Sequence, residues 1–269
     1  MSLREIPVHR LQHTHFYASA TDGGNLGEYE TAHRIDFFAV VWFESDGAAH
    51  YIDFEPYPIK RNLVYLLARN QVHSLPSASP IAKVMIFTKD FFDGIKEDEL
   101  RFLFLPLQNE GILIPDDLLE PMHHLFGLIL LESSSNKEAK LLHLYLSAFL
   151  MHLYRFNPNA ANSIASHNER LYRLFLLLAE NYKTQKQVSF YADQLGLTAK
   201  RLNQILKERL DLSVSELIYN YILIEAKREI SHSTKSMKEI AIELGFTSQS
   251  YFSRFFKKQT GVSPDDFRQ

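Results

Sequence analysis

The chain has 269 residues, of which 46% are hydrophobic and 23% charged, and its formal net charge is −3. These fractions are typical of globular proteins and exclude disordered and fibrous classes, while the length predicts two domains. The chain has no cysteine, which excludes disulfides, thiolate zinc sites and cysteine nucleophiles and favours a reducing cytoplasm.

Residues 1–115 are predicted to be rich in β-strands. Short apolar runs containing β-branched and aromatic residues alternate with turn signals such as Asp46-Gly47. The runs are Ile35–Phe43, Ala49–Phe54, Leu63–Leu67 and Ile81–Thr88. Short strands at this spacing, without helices between them up to about residue 114, predict a barrel or sandwich.

Residues 116–156 change to a helical period. Apolar residues at i, i+3, i+4 and i+7 predict helices over Asp116–Glu132 and Asn136–Phe156. These helices are expected to expose more Leu and Met than a barrel cap needs, including Leu144, Leu150 and Met151. The alternative is that both helices pack on their own barrel in a monomer.

Residues 157–165 are predicted to form a linker, because the segment is rich in Asn, Pro and small residues. The charge changes sign there: residues 1–165 carry 13 basic and 20 acidic side chains, whereas residues 166–269 carry 16 basic and 12 acidic. The basic half is therefore the place to search for a nucleic-acid module. No signal segment and no membrane-spanning stretch is expected, so the predicted location is cytoplasmic.

The basic half contains an internal repeat. Residues 192–198 (Ala-x-x-Leu-Gly-Leu-Thr) match residues 241–247 (Ala-x-x-Leu-Gly-Phe-Thr), and residues 202–207 then match residues 252–257. Each copy has the pattern of a helix-turn-helix: a short helix, a Gly at the turn, an apolar plug, and a capped second helix. The alternative is a duplicated helical hairpin that contacts other proteins.

The segment Ser213–Ser231 between the copies is predicted to be one helix, begun by the capping pattern Ser213-Val214-Ser215-Glu216. At ~1.5 Å per residue it would be about 28 Å long. Such a helix would hold the two recognition helices close to the ~34 Å that separates successive major-groove entries on one face of B-DNA.

The second copy resembles the AraC/XylS family of bacterial transcription regulators. The resemblance covers about 100 C-terminal residues and is carried by this motif: Ile240-Ala241-x3-Gly245-Phe246-x-Ser248-x-Ser250-Tyr251-Phe252-Ser253-Arg254-x-Phe256-Lys257-Lys258-x2-Gly261-x-Ser263-Pro264-x2-Phe267-Arg268. It implies an α+β protein with a cupin-like sensor barrel (1–115), a dimerisation helix pair (116–156), a linker (157–165) and a DNA-binding domain (166–269). The implied partners are double-stranded DNA, a small-molecule effector, RNA polymerase and a second copy of the chain.

Polar residues on the predicted recognition helices are the candidates for base reading. Exposed positions in the first copy are Lys200, Arg201, Asn203 and Gln204, and in the second copy Gln249, Ser250, Ser253 and Arg254. The resemblance places all of these except Arg201 at base-reading positions, and an Arg such as Arg254 is suited to bind a guanine with two hydrogen bonds. Phosphate contacts are expected from Thr198, Lys207, Ser248, Lys257 and Lys258. The alternative for each is a solvated helix face.

Two residues of the first copy depart from the family pattern. Ile222 stands where the family usually has Arg, and Asp211 stands where the second copy has the turn glycine Gly261. Both changes are expected to weaken the first copy, so that the second binds DNA more strongly or the two differ in specificity.

Histidines in the acidic half suggest a metal site, which would make the chain a metal-dependent cupin enzyme. The cupin ligand positions hold His33 and His73 but Ala39 replaces the carboxylate, and His13 and His15 are more typical of ordinary polar residues. We therefore expect no metal, no cofactor, no catalytic residues and no enzyme activity. A barrel of this size can instead enclose a small organic molecule. Its candidate lining residues, each of which is alternatively core, are His15, Tyr17, Trp42, Tyr51, Tyr65 and His73.

Overall fold

The structure is a computed structural model that describes residues 7–11, 14–21, 31–75, 80–105, 109–135, 137–157 and 165–268. The chain divides between Ala165 and Ser166 into two compact units. Most of the predicted linker, residues 158–164, lies outside the described residues. Within the described ranges, no helix is long and apolar enough to cross a membrane.

The described part of the N-terminal unit contains two five-stranded sheets. Their strands are β1 (Val8–His9), β2 (Phe16–Thr21), β3 (His33–Ile35), β4 (Phe38–Phe43), β5 (Ala49–Ile52), β6 (Glu55–Pro58), β7 (Leu63–Leu67), β8 (Val72–Ser74), β9 (Ala82–Phe87) and β10 (Ile112–Leu113). Sheet A has the order β1-β3-β8-β5-β6, and sheet B the order β10-β7-β4-β9-β2. Every neighbouring pair is antiparallel except β1 and β3. Strands are thus confirmed in all four predicted apolar runs.

Side chains of sheet B alternate between two cores. On β4, Ala39, Val41 and Phe43 join an inter-sheet core shared with sheet A. The alternate residues Val40 and Trp42 join a sheet–helix core on the other face. This period of two is the ordinary geometry of a strand, and here both faces are apolar because both are covered.

The helices of the N-terminal unit are α1 (Lys89–Phe92), α2 (Asp98–Phe102), α3 (Asp116–Ser134) and α4 (Ala139–Phe156). The two long helices confirm the prediction for residues 116–156. The prediction that strands continue without helices to about residue 114 is wrong, since α1 and α2 occupy residues 89–92 and 98–102. Helix α1 begins because the Thr88 hydroxyl accepts from the Phe91 amide, at 3.4 Å.

Helices α3 and α4 cover the outer face of sheet B. Phe126 and Ile129 of α3 and Phe149 of α4 are buried in the sheet–helix core. Leu150, which the sequence suggested as exposed, is also fully buried there. The opposite face leaves several large apolar side chains in solvent: Leu128, Leu131, Leu141, Leu144 and Met151.

The described part of the C-terminal unit is helical. Its helices are α5 (Ala165–Asn181), α6 (Val188–Gln194), α7 (Ala199–Leu210), α8 (Val214–His232), α9 (Met237–Glu243), α10 (Gln249–Thr260) and α11 (Pro264–Arg268). Helix α8 confirms the predicted connecting helix to within one residue at each end. Its capping box is present: the Ser213 hydroxyl accepts from the Glu216 amide at 3.2 Å, and Glu216 Oε2 accepts from the Ser213 amide at 2.7 Å.

Candidate nucleic-acid interface and ligand cavity

The pairs α6/α7 and α9/α10 are the two helix-turn-helix copies, with α7 and α10 as candidate recognition helices. Leu202, Ile205 and Leu206 of α7 are buried, as are Phe252 and Phe256 of α10. The apolar positions of both helices therefore face the core as predicted, and Phe255 is partly buried. Lys200, Gln204 and the corresponding polar positions of α10 face outward.

Both recognition helices begin at a hydroxyl cap. The Thr198 hydroxyl oxygen accepts from the Arg201 amide at 3.2 Å, and the Ser248 hydroxyl oxygen accepts from the Tyr251 amide at 3.2 Å. In each cap the oxygen is the acceptor, so the hydroxyl proton is available to a phosphate oxygen. The predicted roles of Thr198 and Ser248 as caps and as phosphate contacts are chemically compatible.

The exposed polar side chains of α7 bind one another. Arg201 Nη1 donates to Gln204 Oε1 at 2.8 Å, and Gln204 Nε2 donates to Glu208 Oε1 at 2.8 Å. Lys207 Nζ lies 2.6 Å from Asp211 Oδ1, and this ion pair raises the pKa of Lys207. Of the first-copy candidates, Lys200 has no such partner among the described residues.

Asn203 holds the local fold together instead of facing outward freely. Its Nδ2 donates to the Ala199 carbonyl at 3.1 Å, and its Oδ1 accepts from the Val214 amide at 2.9 Å. The Val214 amide is in the first turn of α8, where helix N–H groups lack an intrahelical partner. Asn203 thus links α7 to the start of α8 and is partly buried instead of exposed as predicted, while its base-reading role stays a prediction.

The four candidate base-reading side chains of α10 have no internal partners among the described residues. Gln249, Ser250 and Arg254 are exposed and Ser253 is partly buried. None of the four makes a side-chain hydrogen bond or ion pair within the described residues 165–268. Lys257 and Lys258 follow in the last turns of the helix and are exposed. The helix presents an arginine, an amide and two hydroxyls to any partner that approaches.

The turn before α10 is held in part by Lys183 and Lys186, which the sequence did not indicate. Gly245 has φ +70°, and a Cβ there would overlap the Lys183 carbonyl. Lys186 Nζ donates to the Gly245 carbonyl and lies 4.1 Å from the centroid of the Phe246 ring. The Phe246 ring in turn packs on Phe252 of α10, with centroids 5.3 Å apart. The loop after α5 therefore positions the second recognition helix.

The two residues of the first copy that depart from the family pattern have different structural consequences. Ile222 is fully buried in α8, where an arginine would have to bury its charge. Asp211 adopts the left-handed conformation, with φ 54° and ψ 26°, at the end of α7. The corresponding Gly261 has φ 83°. Asp therefore occupies a backbone conformation that glycine adopts at lower cost.

A cavity of about 280 Å³ lies in the N-terminal unit. Its lining residues come from both sheets and the loops beside them: Tyr17, Ser19, Thr21, Phe37, Ala39, Val41, His73, Leu75, Ala82, Val84 and Ile86. Most are the residues of β2, β4 and β9 that point toward sheet A, so the alternation described above determines which side chains reach the cavity.

The six predicted effector residues are not brought together. Tyr17 and His73 line the cavity. Tyr65 belongs to the inter-sheet core, and its hydroxyl donates to the Pro58 carbonyl at 2.7 Å. Trp42 points to the opposite face of sheet B, where it stacks on His123 at 4.5 Å between ring centroids. Tyr51 and His15 do not line the cavity. Tyr51 is exposed, and His15 Nδ1 lies 3.3 Å from Thr88 Oγ1.

Four histidines form a row across four neighbouring strands of sheet A. The ring centroids of His9 and His33 are 4.3 Å apart, and those of His33 and His73 are 4.1 Å apart. His50 Nε2 lies 3.2 Å from His73 Nδ1, so that one ring donates to the other. The sequence indicated His33 and His73 but gave no sign of His50, because its strand is known to neighbour β8 only from the sheet order.

Three histidines of the row, His33, His50 and His73, are uncharged at neutral pH. Burial lowers the pKa of His33 to about 4 and that of His50 to about 3. Burial and the nearby histidines hold the pKa of His73 well below its ordinary range. Within the part of the chain that the structure describes, no group of three or more His, Asp or Glu side chains could hold a metal ion.

The chain is similar to known transcription regulators. A helix-turn-helix domain family matches residues 191–269, which include both recognition helices. The HTH-type transcriptional activator RhaS of Yersinia pestis bv. Antiqua (strain Angola) is 24% identical over 247 residues, which cover 88% of each chain. RhaS of Yersinia pseudotuberculosis serotype I has the same identity and coverage. These matches support the resemblance to the AraC/XylS family that the motif of residues 240–268 carries.

A solved structure of ToxT from Vibrio cholerae has a similar fold. It aligns with 95% of this chain and 98% of its own, at 17% sequence identity and a TM-score of 0.50. This likeness extends across both units and supports a β-rich N-terminal unit followed by a helix-turn-helix unit. The chain therefore shares the two-part fold of that structure, in addition to the helix-turn-helix match of residues 191–269.

Proposed function

We propose that the protein is a sequence-specific transcriptional activator that binds promoter DNA through α7 and α10. The observation that carries the proposal is the row of unpartnered polar side chains on α10, formed by Gln249, Ser250, Ser253 and Arg254. A buried apolar face fixes the helix, so these side chains are displayed on a rigid element. Short recognition helices with this arrangement enter the major groove through their N-terminal turns.

The proposed contacts fall into two classes. Arg254 binds a guanine edge, and Gln249 an adenine edge. Lys257, Lys258 and the cap hydroxyl of Ser248 bind phosphates and set the helix position without reading sequence. On α7, Lys200 contacts DNA directly, while Arg201, Gln204 and Lys207 must first exchange their internal partners for DNA.

The N-terminal unit is proposed to bind a small-molecule effector and to mediate dimerisation. The cavity of about 280 Å³ supports the first role. The exposed apolar face of α3 and α4 supports the second, with Leu131 64% and Leu144 58% exposed. A dimer would raise the affinity of a DNA-binding unit whose net charge is only modestly positive. Contact with RNA polymerase is proposed from the family resemblance alone. The activity is that of a cytoplasmic regulator, without catalysis.

The test is binding to DNA from upstream of the protein's own gene. We expect affinity to fall linearly with the logarithm of salt concentration, as phosphate contacts require. Arg254→Ala should cost ~1–3 kcal/mol at the cognate site and relax the preference at one base pair. The matched control is Arg173→Ala, which removes an exposed arginine of α5. Salt-independent binding, or equal effects of the two substitutions, would contradict the proposal.

A further inference from the structure

None of the described residues that line the cavity between the sheets has a charged side chain. Its eleven lining residues include no Lys, Arg, Asp or Glu, and most are apolar. The single titratable imidazole, His73, is uncharged at neutral pH because burial and the neighbouring histidines disfavour its protonated form. A ligand that carries a net charge would lose its hydration here without gaining a counter-charge.

Two hydroxyls on β2 are the groups that remain for hydrogen bonding. The hydroxyls of Tyr17 and Ser19 have no hydrogen-bond partner among the described residues. Thr21, in contrast, is already occupied, because its hydroxyl oxygen accepts from the Ala82 amide at 3.0 Å. The cavity therefore offers a mainly apolar surface with a few neutral polar groups on one strand.

We propose that this cavity selects an uncharged, mainly apolar ligand that carries one or two hydroxyl or carbonyl groups. The volume of about 280 Å³ accommodates roughly nine water-sized groups, which corresponds to a ligand of about ten non-hydrogen atoms. Carboxylates, phosphates and amines are excluded by the missing counter-charge. This inference rests on the proposed effector role, and it adds the chemical class of the effector.

The only tryptophan of the chain gives a direct readout of this cavity. Trp42 follows Val41, which lines the cavity, and points from the same strand to the other face of sheet B. There it stacks on His123 of α3, and Lys83 Nζ lies 4.9 Å from its ring centroid. A ligand that shifts β4 or β9 should therefore change the Trp42 fluorescence.

The experiment compares three probes of similar size and different charge: benzyl alcohol, benzoate and benzylamine. Each is titrated into the full-length protein at neutral pH up to millimolar concentration, with Trp42 fluorescence and thermal unfolding as readouts. We expect benzyl alcohol to bind and each charged probe to bind at least about tenfold more weakly. Equal or tighter binding of benzoate or benzylamine overturns the proposal, as does the failure of benzyl alcohol to bind.

Variants locate the binding in this cavity. Ser19→Leu on β2 should abolish benzyl alcohol binding, whereas Ala20→Leu should not, because Ala20 is exposed on the opposite face of the same strand. Ala39→Val fills the cavity from β4 and replaces Ser19→Leu if that variant does not fold. Unchanged affinity in the folded cavity variant overturns the proposal.

A charge placed in the cavity tests the selectivity itself. Ser19→Lys should reverse the preference, so that benzoate binds more tightly than benzyl alcohol. Retention of the neutral preference in this variant contradicts the electrostatic argument. Binding to upstream DNA is measured in the same preparations. If the protein binds DNA but the probes do not behave as expected, the proposed ligand class is refuted. If the unmodified protein does not bind DNA, the proposed function as a regulator is refuted.

Discussion

The two helix-turn-helix copies share one sequence pattern but differ in how their polar side chains are used. On α7, Arg201, Gln204 and Lys207 are bound to other side chains of the same unit. On α10, the aligned region from Gln249 to Arg254 has no such bonds among the described residues. In the proposed DNA complex, α10 therefore binds without losing internal bonds, while α7 must break hydrogen bonds and an ion pair.

The difference arises from a few aligned positions. Where α7 has Asn203 and Glu208, α10 has Ser253 and Lys258. Asn203 is long enough to reach the Val214 amide, and Glu208 accepts a hydrogen bond from Gln204. The shorter Ser and the cationic Lys form no equivalent bonds. The two repeats thus keep apolar residues at the same positions but differ in the bonds that their exposed residues make.

The largest expected effect comes from the two turn glycines. Gly196 and Gly245 both have positive φ, but a Cβ on Gly196 would meet no atom within 4 Å, whereas one on Gly245 would overlap the Lys183 carbonyl. Gly196→Ala should cost about 1–2 kcal/mol in unfolding free energy, and Gly245→Ala about 2–5 kcal/mol. Chemical denaturation of the two variants and of the unmodified protein gives the unfolding free energies to be compared. Equal destabilisation would show that the Lys183 loop does not constrain the second turn.

A smaller effect on stability is expected at the aligned residues Asn203 and Ser253, of which the first is structural and the second is proposed to read DNA. Asn203→Ala leaves the Val214 amide without its side-chain acceptor and should lower stability by about 1–3 kcal/mol. Ser253→Ala, at the aligned position, should change stability by less than about 0.5 kcal/mol but weaken binding to the cognate site. The unfolding temperature and the affinity for the cognate site are measured for both variants. If Asn203→Ala leaves the unfolding temperature unchanged, its bonds to the backbone are not structural.

Local signals in the sequence predicted much of this architecture. Helix α8 was predictable because Ser213 and Glu216 form a capping box within four residues. The hydrogen bond between Asn203 and the Val214 amide was not predictable. The two residues are separated by a turn, and the sequence pattern does not specify the geometry of that turn. The same limit applies to the cavity: β4 reads as a strand, but its period does not reveal that Val41 faces sheet A and Trp42 faces the helices. Which core each face meets depends on sheet order and helix packing.

Making α7 resemble α10 should increase DNA affinity. Glu208→Lys removes the acceptor of Gln204 and places a cation where α10 has Lys258. One added phosphate contact should steepen the dependence of log affinity on log salt by about 0.9. Glu180→Lys, which makes the same charge change at an exposed site on α5, is the control. An equal gain from both variants would mean that total charge, and not position on the helix, sets the affinity.

The smallest effect is expected at Lys186, which supports the second copy from outside its helices. Lys186→Met removes the cation from the Phe246 ring and the donor from the Gly245 carbonyl, at a cost of about 0.5–1 kcal/mol. Because Phe246 packs on α10, protection of the DNA half bound by the second copy should weaken in footprinting, while the other half is unchanged. Lys186→Arg keeps a cation over the Phe246 ring and should restore protection. Lys183→Met replaces an exposed lysine of the same loop and should leave the protection of both DNA halves unchanged. Uniform loss across both halves would instead assign Lys186 to the stability of the whole unit.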